Sequence, residues 1–440
     1  MAGTYIQRTQ TGGNRRTFTI SAWIKRCGNF NQYSHLFTFG PNPGAWDTFR
    51  FDNNNKLAFR MNNDAAVVQT NRVIRDIFGW MHLVLAVDTT QGTAADRVKI
   101  YVNGVQETSL NTSNYPSQNL ELSVNNNSQL IRIGDATWSP GSQYYDGLMS
   151  HVHFCDGSAL APTVFGETDS TTGEWKIKTN PSFTPGTNGF TIFKDGMTIT
   201  DQSANSNDFS LTDGTLTKTE DCPSNVFCTM NQLDNQAAGS TFTAGNNRIE
   251  WNTNNKTNFG TMAVNSGKWY WEMKFAVNTG GNDAMTGVCR EVSRDGSDWV
   301  GHDSHGWSYY ASQGNKYHGG SGSSYGNSWT AGDIIGVAFD ADTRTLWFSK
   351  NGTWQNSATI SEIAAGTTTN AAFTGFGTAG EFFFPATSGY DGNKINYNFG
   401  NGYFSATAIS SAGSNASNLG IFEYDVPNNF TALCTKGLNE

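Results

Sequence analysis

The chain has 440 residues, enough for two or three domains at roughly 100–200 residues each, so a single domain is not expected. Charged residues make up 15% and aromatics 13%, with 48 glycines, a composition of β-strands joined by tight turns that argues against helical bundles, coiled coils and charge-rich disorder. The balance of 28 Lys and Arg against 37 Asp and Glu, net −9, with no basic run longer than Arg15-Arg16, argues against a nucleic-acid footprint.

No apolar run approaches the roughly 18 residues of a membrane-spanning helix. The most continuous one, Met81 to Val87, has the length of a strand. The first ten residues lack an apolar segment of the secretory type. Six scattered cysteines read as mostly buried thiols, the alternative being a Cys222–Cys228 bridge.

From Thr17 to Phe154 short strands follow one another. Phe18, Ile20, Ala22 and Ile24 share one face by period-2 alternation, and further runs occur at Phe49/Phe51, Leu57/Phe59/Met61 and 80–88. Asn103-Gly104 marks a hairpin. The ordered set Phe-Thr-Ile-Ser-Ala-Trp-Ile-Lys (18–25), Gly-Trp-Met-His-Leu-Val-Leu-Ala-Val-Asp (79–88), Ile-Tyr-Val-Asn-Gly (100–104) and Tyr-Asp-Gly-Leu-Met-Ser-His-Val-His-Phe (145–154) resembles the concanavalin A-like, laminin-G-like jelly roll over residues 1–175.

Residues 176–245 are rich in Thr, Asn, Ser, Gly and Pro, yet Gly189-Phe-Thr-Ile-Phe193 is strand-like. Asp201-Gln-Ser-Ala-Asn-Ser-Asn-Asp-Phe209 resembles a motif that precedes the first strand of laminin-G-like domains, which suggests a permuted strand returning to the first sandwich. Cys222 to Asp234 and Val426 to Asn439 echo each other loosely, as edge strands pairing beside the second block or as chance similarity.

The second block, residues 246–404, has Trp269, Trp271, Met273 and Phe275 on one face and a hairpin signal at Asn351-Gly352. Its succession Gly267-Lys-Trp-Tyr-Trp-Glu-Met-Lys-Phe275, Ser304-His-Gly-Trp-Ser-Tyr309, Gly332-Asp-Ile-Ile-Gly-Val-Ala-Phe-Asp340, Thr345-Leu-Trp-Phe-Ser-Lys-Asn-Gly352 and Lys394-Ile-Asn-Tyr-Asn-Phe-Gly400 is similar to the SPRY domain. The fold expected is all-β: two antiparallel sandwiches with a strand-containing connector, and a C-terminal segment, 405–440, packed on the second.

Some concanavalin A-like folds cleave glycosides, which needs two carboxylates about 5–5.5 Å apart in the retaining case. Glu272 and Glu121 each lack an acidic neighbour within four residues, and no nucleophile motif or phosphate loop is present, so no enzyme is expected. His151 and His153 are two apart on one predicted strand face, near Asp146, as metal ligands or as histidines of a polar surface or domain interface. No cofactor is expected, with calcium as the exception: the laminin-G resemblance offers Asp135, Asp146 and Asp201 as donors.

The stretch Arg290–Trp329 concentrates aromatics among glycines and short polar residues, a make-up suited to sugar or peptide recognition. Trp299, Tyr310, Tyr325 and Trp329 are the expected ligand contacts. Trp307, Tyr309, Tyr317 and His318 match the SPRY pattern's own recurrent positions and are expected to pack structurally.

Both resemblances are to recognition folds, and the whole arrangement, through Phe422–Lys436, resembles marine bacteriophage structural proteins. With no secretory segment visible, the resemblance implies a virion protein assembled in the host cytoplasm, a tail adhesin or fibre or a capsid decoration. Its partners would be other virion proteins and host-surface glycans or proteins. No heptad stretch supports a coiled-coil shaft, so multivalent display through sandwich faces or edges is expected.

Overall fold

The computed structural model describes residues 3–28, 30–40, 45–234, 240–290 and 298–439. The chain divides into two compact units, Met1–Lys218 and Thr219–Glu440. Both are built from antiparallel sheets; the α-helix among the described residues is the single turn Ile360–Ala364, capped by Thr359 and Glu362, and no helix is long and apolar enough to cross a membrane.

In the first unit an eight-stranded sheet runs in the order Leu110–Asn114, Ala66–Val73, Lys56–Met61, Asp47–Phe51, Ser34–Phe39, Leu130–Ile133, Tyr5–Thr9, Ser210–Asp213. A six-stranded sheet, Phe190–Ile192, Gly147–Asp156, Thr17–Arg26, Met81–Asp88, Val98–Val102, Val105–Gln106, forms the other layer. Alternation turns Phe18, Ile20 and Ile24 from one sheet and Phe37, Phe39, Phe49 and Phe59 from the other into a shared core. Phe18 sits at its centre, 5.9–6.5 Å from the rings of Phe154, Phe59 and Phe39. Asn103 and Gly104 both adopt positive φ, 48° and 79°, as a two-residue hairpin turn with right-handed strand twist requires.

The connector is not a separate piece. Phe190–Ile192 pairs with Gly147–Asp156, and Ser210–Asp213 pairs with Tyr5–Thr9, so the first unit ends at Lys218 and not at residue 175. The reason is burial: Phe190, Ile192, Phe193 and Phe209 lie in the first core. Asp201 holds the returning segment, its carboxylate accepting the N–H groups of Thr191, Ser203 and Asn207 at 2.8–2.9 Å.

In the second unit the main sheet runs Thr241–Thr243, Arg248–Glu250, Lys394–Asn398, Lys268–Val277, Ile334–Asp340, Thr345–Lys350, Thr353–Trp354. Trp269, Trp271, Met273 and Phe275 face its core, as their alternation predicts. The opposite face of the same strand, Tyr270 and Glu272, is covered by the C-terminal segment through Phe422, Val426 and Phe430. Thr431–Ala432 adds to Lys268–Val277 in parallel. The echoing segments lie side by side, with Cys228 N–H bonded to Leu433 O at 2.9 Å and Thr435 N–H to Val226 O at 2.8 Å. This unit therefore begins at Thr219, ahead of the expected residue 246.

All six cysteines carry thiols, and the Cys222–Cys228 alternative is not formed: Cys222 Sγ lies 3.4 Å from Ser224 Oγ, and Cys228 Sγ donates to Thr229 O.

Candidate functional site: an aromatic cleft on the second unit

The second layer of this unit is a six-stranded sheet: Lys256–Phe259, Phe383–Gly389, Ala284–Arg290, Gly306–Tyr310, Asn315–His318, Ser321–Ser324. Trp307 and Tyr309 point into the core, so their neighbours Ser308 and Tyr310 point outward. The register aligns Thr257, Ser388, Met285 and Tyr310 in one outward row, and Phe259, Ala386, Gly287, Ser308 and Tyr317 in the next.

The small residues of the second row let a loop lie across it. Val300 buries against Phe259, Cys289 and Ala386. Its backbone is fastened at both ends, with N–H donating to Ser388 Oγ at 2.7 Å and the carbonyl accepting from Ser308 Oγ at 2.6 Å. Thr257 Oγ1 donates to Asp298 O at 2.6 Å beside them. Gly301, at φ +93°, brings the loop so close to the next strand that a Cβ would sit 2.6 Å from Tyr317 O. The residues 291–297, part of the aromatic-rich stretch singled out in the sequence, lie outside the described residues.

Fastening this loop leaves the other row open as a cleft of about 320 Å³, lined by Trp299, Tyr310, Tyr317, Met285, Asp283 and Gln313, with Asn255, Ser388, Gly389 and Tyr390 completing it. Its aromatic walls meet edge to face: Trp299 to Tyr317 at 5.2 Å and 87°, and Tyr310 to Tyr317 at 5.6 Å and 87°. Perpendicular rings brace one another and present separate faces to a ligand. The Tyr310 hydroxyl donates to Asp283 Oδ1, and burial together with that carboxylate pushes its pKa up to about 12, so it remains a donor at neutral pH. Gln313 Oε1 accepts from Asn315 Nδ2 at 2.9 Å and from the Tyr317 hydroxyl at 3.4 Å. Apolar faces with amide and carboxylate groups at their edges suit binding, and the Ser388 hydroxyl is engaged by Val300 N–H and Thr257.

Of the four expected ligand contacts, Trp299 and Tyr310 line this cleft. Tyr325 and Trp329 do not: they are 6% and 1% exposed and pack in the core, the Tyr325 hydroxyl accepting the Phe348 N–H at 3.2 Å and Trp329 standing edge-on to Phe275. Both follow the polar Ser321–Ser324 strand, and their rings pack inward, Tyr325 against Tyr309 and Phe348 and Trp329 against Tyr309 and Phe275. Tyr317, expected as packing, is a wall of the cleft instead, and Asp283 and Gln313 carried no sequence signal. Trp307, Tyr309 and His318 do pack structurally: Trp307 stacks on the His318 ring at 4.7 Å.

The candidate metal donors are not brought together. No group of three or more His, Cys, Asp or Glu side chains suited to a metal occurs among the described residues. Asp135 accepts from Ala136 and Gly141 N–H groups, and Asp201 holds its own turn. Across a register shift between Ser150 and His153, the rings of His151 and His153 stay adjacent, edge to face with centroids 6.4 Å apart. His153 is 2% exposed between Phe165 and Phe183, with Nδ1 2.9 Å from Thr191 Oγ1, so a polar surface does not describe it, and burial pulls its pKa down to about 3.

The family model described as SPRY domain matches residues 268–402, and the one described as concanavalin A-like lectin/glucanases superfamily matches residues 2–164. No curated protein matches the chain. Among solved structures, the SPRY domain of human HERC1 is 24% identical, covering 34% of this chain and 87% of its own, with a TM-score of 0.27. The TRIM65 PSpry domain is 11% identical, covering 39% and 91%, TM-score 0.31. A SAP-like pentraxin from Limulus polyphemus is 16% identical, covering 36% and 72%, TM-score 0.29. On the two family matches, the chain carries a concanavalin A-like, laminin-G-like domain followed by a SPRY domain.

Proposed function

We propose that the chain is a non-enzymatic recognition protein of a bacteriophage particle, a tail adhesin or capsid decoration that binds host-surface glycan or protein through its SPRY cleft. The observation that carries the binding role is the cleft itself, with Trp299 and Tyr310 each braced edge to face against Tyr317 and Asp283 and Gln313 in its lining. Support for the particle comes from the resemblance of the whole arrangement, including Phe422–Lys436, to phage structural proteins. Many copies on one particle would turn weak single-site binding into avidity.

The full-length chain on arrays of bacterial surface glycans and envelope proteins tests the binding role. Trp299→Ala is expected to weaken a bound ligand by roughly 30-fold, the effect of losing a central aromatic anchor at about 2 kcal/mol. Because Trp299 is half-buried at the surface, the melting temperature should be unchanged. Binding indifferent to this substitution overturns the assignment of the cleft. Mass spectrometry of purified particles tests the setting, and absence of the chain from them removes it.

A structural role, joining virion proteins, is favoured by a separate observation. The edge strand Ser321–Ser324 is wholly exposed and holds neither charge nor proline, the usual guards against strand addition. Incorporation into particles without glycan binding would select that reading.

A further inference from the structure

We propose, resting on the role of the second unit's cleft as a binding site, that this cleft selects a guanidinium group, an arginine side chain presented by a partner protein. The Asp283 carboxylate is its counter-charge, and the rings of Trp299, Tyr310 and Tyr317 are its walls. Among the residues that line the cleft, Asp283 carries the one formal charge, and no Lys, Arg or His stands beside it. Its Oδ1 accepts the Tyr310 hydroxyl, while Oδ2 takes neither a hydrogen bond nor an ion pair among the described residues.

The hydroxyl protons of the cleft are already committed. Tyr310 donates to Asp283 Oδ1, and Tyr317 donates to Gln313 Oε1 at 3.4 Å. Thr257 gives its single hydroxyl proton to Asp298 O at 2.6 Å, so in the 3.4 Å pair between Thr257 and Ser388 the donor is Ser388. What these groups offer an incoming ligand is lone pairs. Aromatic faces carry the negative side of the ring quadrupole and favour a cation as well. A guanidinium meets both demands at once, because its flat face stacks on a ring while its edge donates up to five N–H bonds. It is also more weakly hydrated than an ammonium, so leaving water costs it less. A neutral ligand can meet the lone pairs but leaves the carboxylate without a counter-charge.

The surrounding charge points the same way. From Thr219 onward the sequence holds 11 Lys and Arg against 19 Asp and Glu, whereas the first unit is close to balance at 17 against 18. The negative charge of the chain is thus gathered in the unit that carries the cleft, which favours the approach of a cationic partner. Basic groups nearby do not compete for Asp283. Lys316, next to Tyr317 on its strand, lies on the opposite face with Nζ donating to Ala372 O. His302, edge-on to Trp299 at 5.2 Å, has its own carboxylate in Asp298, 3.1 Å away.

Ligand-observed NMR titration of the full-length chain with four peptides, acetyl-Gly-Ser-Xaa-Ser-Gly-amide with arginine, citrulline, lysine or glutamate at the centre, tests the assignment. Citrulline keeps the shape of arginine and removes its charge. The arginine peptide is expected to bind at least tenfold more tightly than the citrulline peptide and several-fold more tightly than the lysine peptide, and to weaken as salt rises. Asp283→Asn, which keeps an acceptor for Tyr310, should cost about tenfold, and Gln313→Lys, which sets a cation at the rim, should abolish binding. Gln313 is exposed and Asp283 half-buried, so unchanged melting temperatures serve as the fold control. Equal binding of arginine and citrulline, a preference for lysine or glutamate, indifference to both substitutions, or no binding of the arginine peptide overturns the guanidinium assignment. If Trp299→Ala then still abolishes binding of citrulline peptide or glycan, the cleft stands as a binding site and only its cation selectivity falls; if Trp299→Ala changes no ligand, both fall together.

Discussion

Glu272→Ala is expected to destabilise the SPRY unit by roughly 3–5 kcal/mol, because four buried donors lose their acceptor at once. The fully buried carboxylate accepts the backbone N–H groups of Glu423 and Tyr424 at 2.9 Å, Asn398 Nδ2 at 3.1 Å and the Tyr270 hydroxyl at 3.2 Å. It is the polar rivet between the central strand and the C-terminal segment. Burial raises its pKa from 4.5 to about 7 although all four donors act to lower it. The folded chain thus holds a proton that the unfolded chain releases between those pH values. Stability contributed by this group is fully present below about pH 4.5, falls as pH rises, and is lost through pH 7, a change of about 3 kcal/mol. Urea unfolding followed by tryptophan fluorescence at pH 5 and pH 8 should show that decline, and Glu272→Gln should flatten it. A wild-type slope retained in the Gln variant would assign the pH dependence to another group.

A fragment ending at residue 175, the extent of the laminin-G-like resemblance, is expected not to fold, whereas one ending at Lys218 should give a cooperative melt. The shorter piece lacks Phe190, Ile192, Phe193 and Phe209, all buried in the first core. At roughly 1.5–3 kcal/mol for each large apolar side chain, the loss is about 6–12 kcal/mol, comparable to the whole stability of a domain. It also strips the edge partner from Tyr5–Thr9. Circular dichroism and thermal melts of the two fragments decide the matter; a folded 1–175 fragment would mean that the returning strands are decoration.

Period-2 alternation made the two sandwiches legible, because a strand with one face buried must alternate, and Trp269, Trp271, Met273 and Phe275 stand where it puts them. In the connector the apolar run at 189–193 and the Asp201–Phe209 motif point to strands returning to the first sandwich, and Phe190–Ile192 and Ser210–Asp213 do pair there, although strands of three to four residues are too short to show periodicity and their ends are hidden among Asn, Ser and Gly. At the cleft, alternation from Trp307 and Tyr309 inward already implied Tyr310 outward. Tyr317 was hidden by its match to a recurrent motif position, and its orientation follows only from pairing with Ser308. Tyr325 and Trp329 were misplaced because aromatic content does not distinguish a wall from a core.

The pairing of Tyr5–Thr9 with Ser210–Asp213 also sets the order in which the first sandwich is made. Its closing strand is synthesised some two hundred residues after the strand it must join, which at about 5–20 residues per second is a wait of roughly 10–40 s. During that interval the backbone edge of the opening strand is unpaired on one side. Contacts this distant in sequence also slow folding, since loop closure must precede the reward of pairing. The first unit is therefore committed to folding late, when nearly all of it has left the ribosome, and its yield during synthesis should depend more on translation speed and temperature than its final stability would suggest.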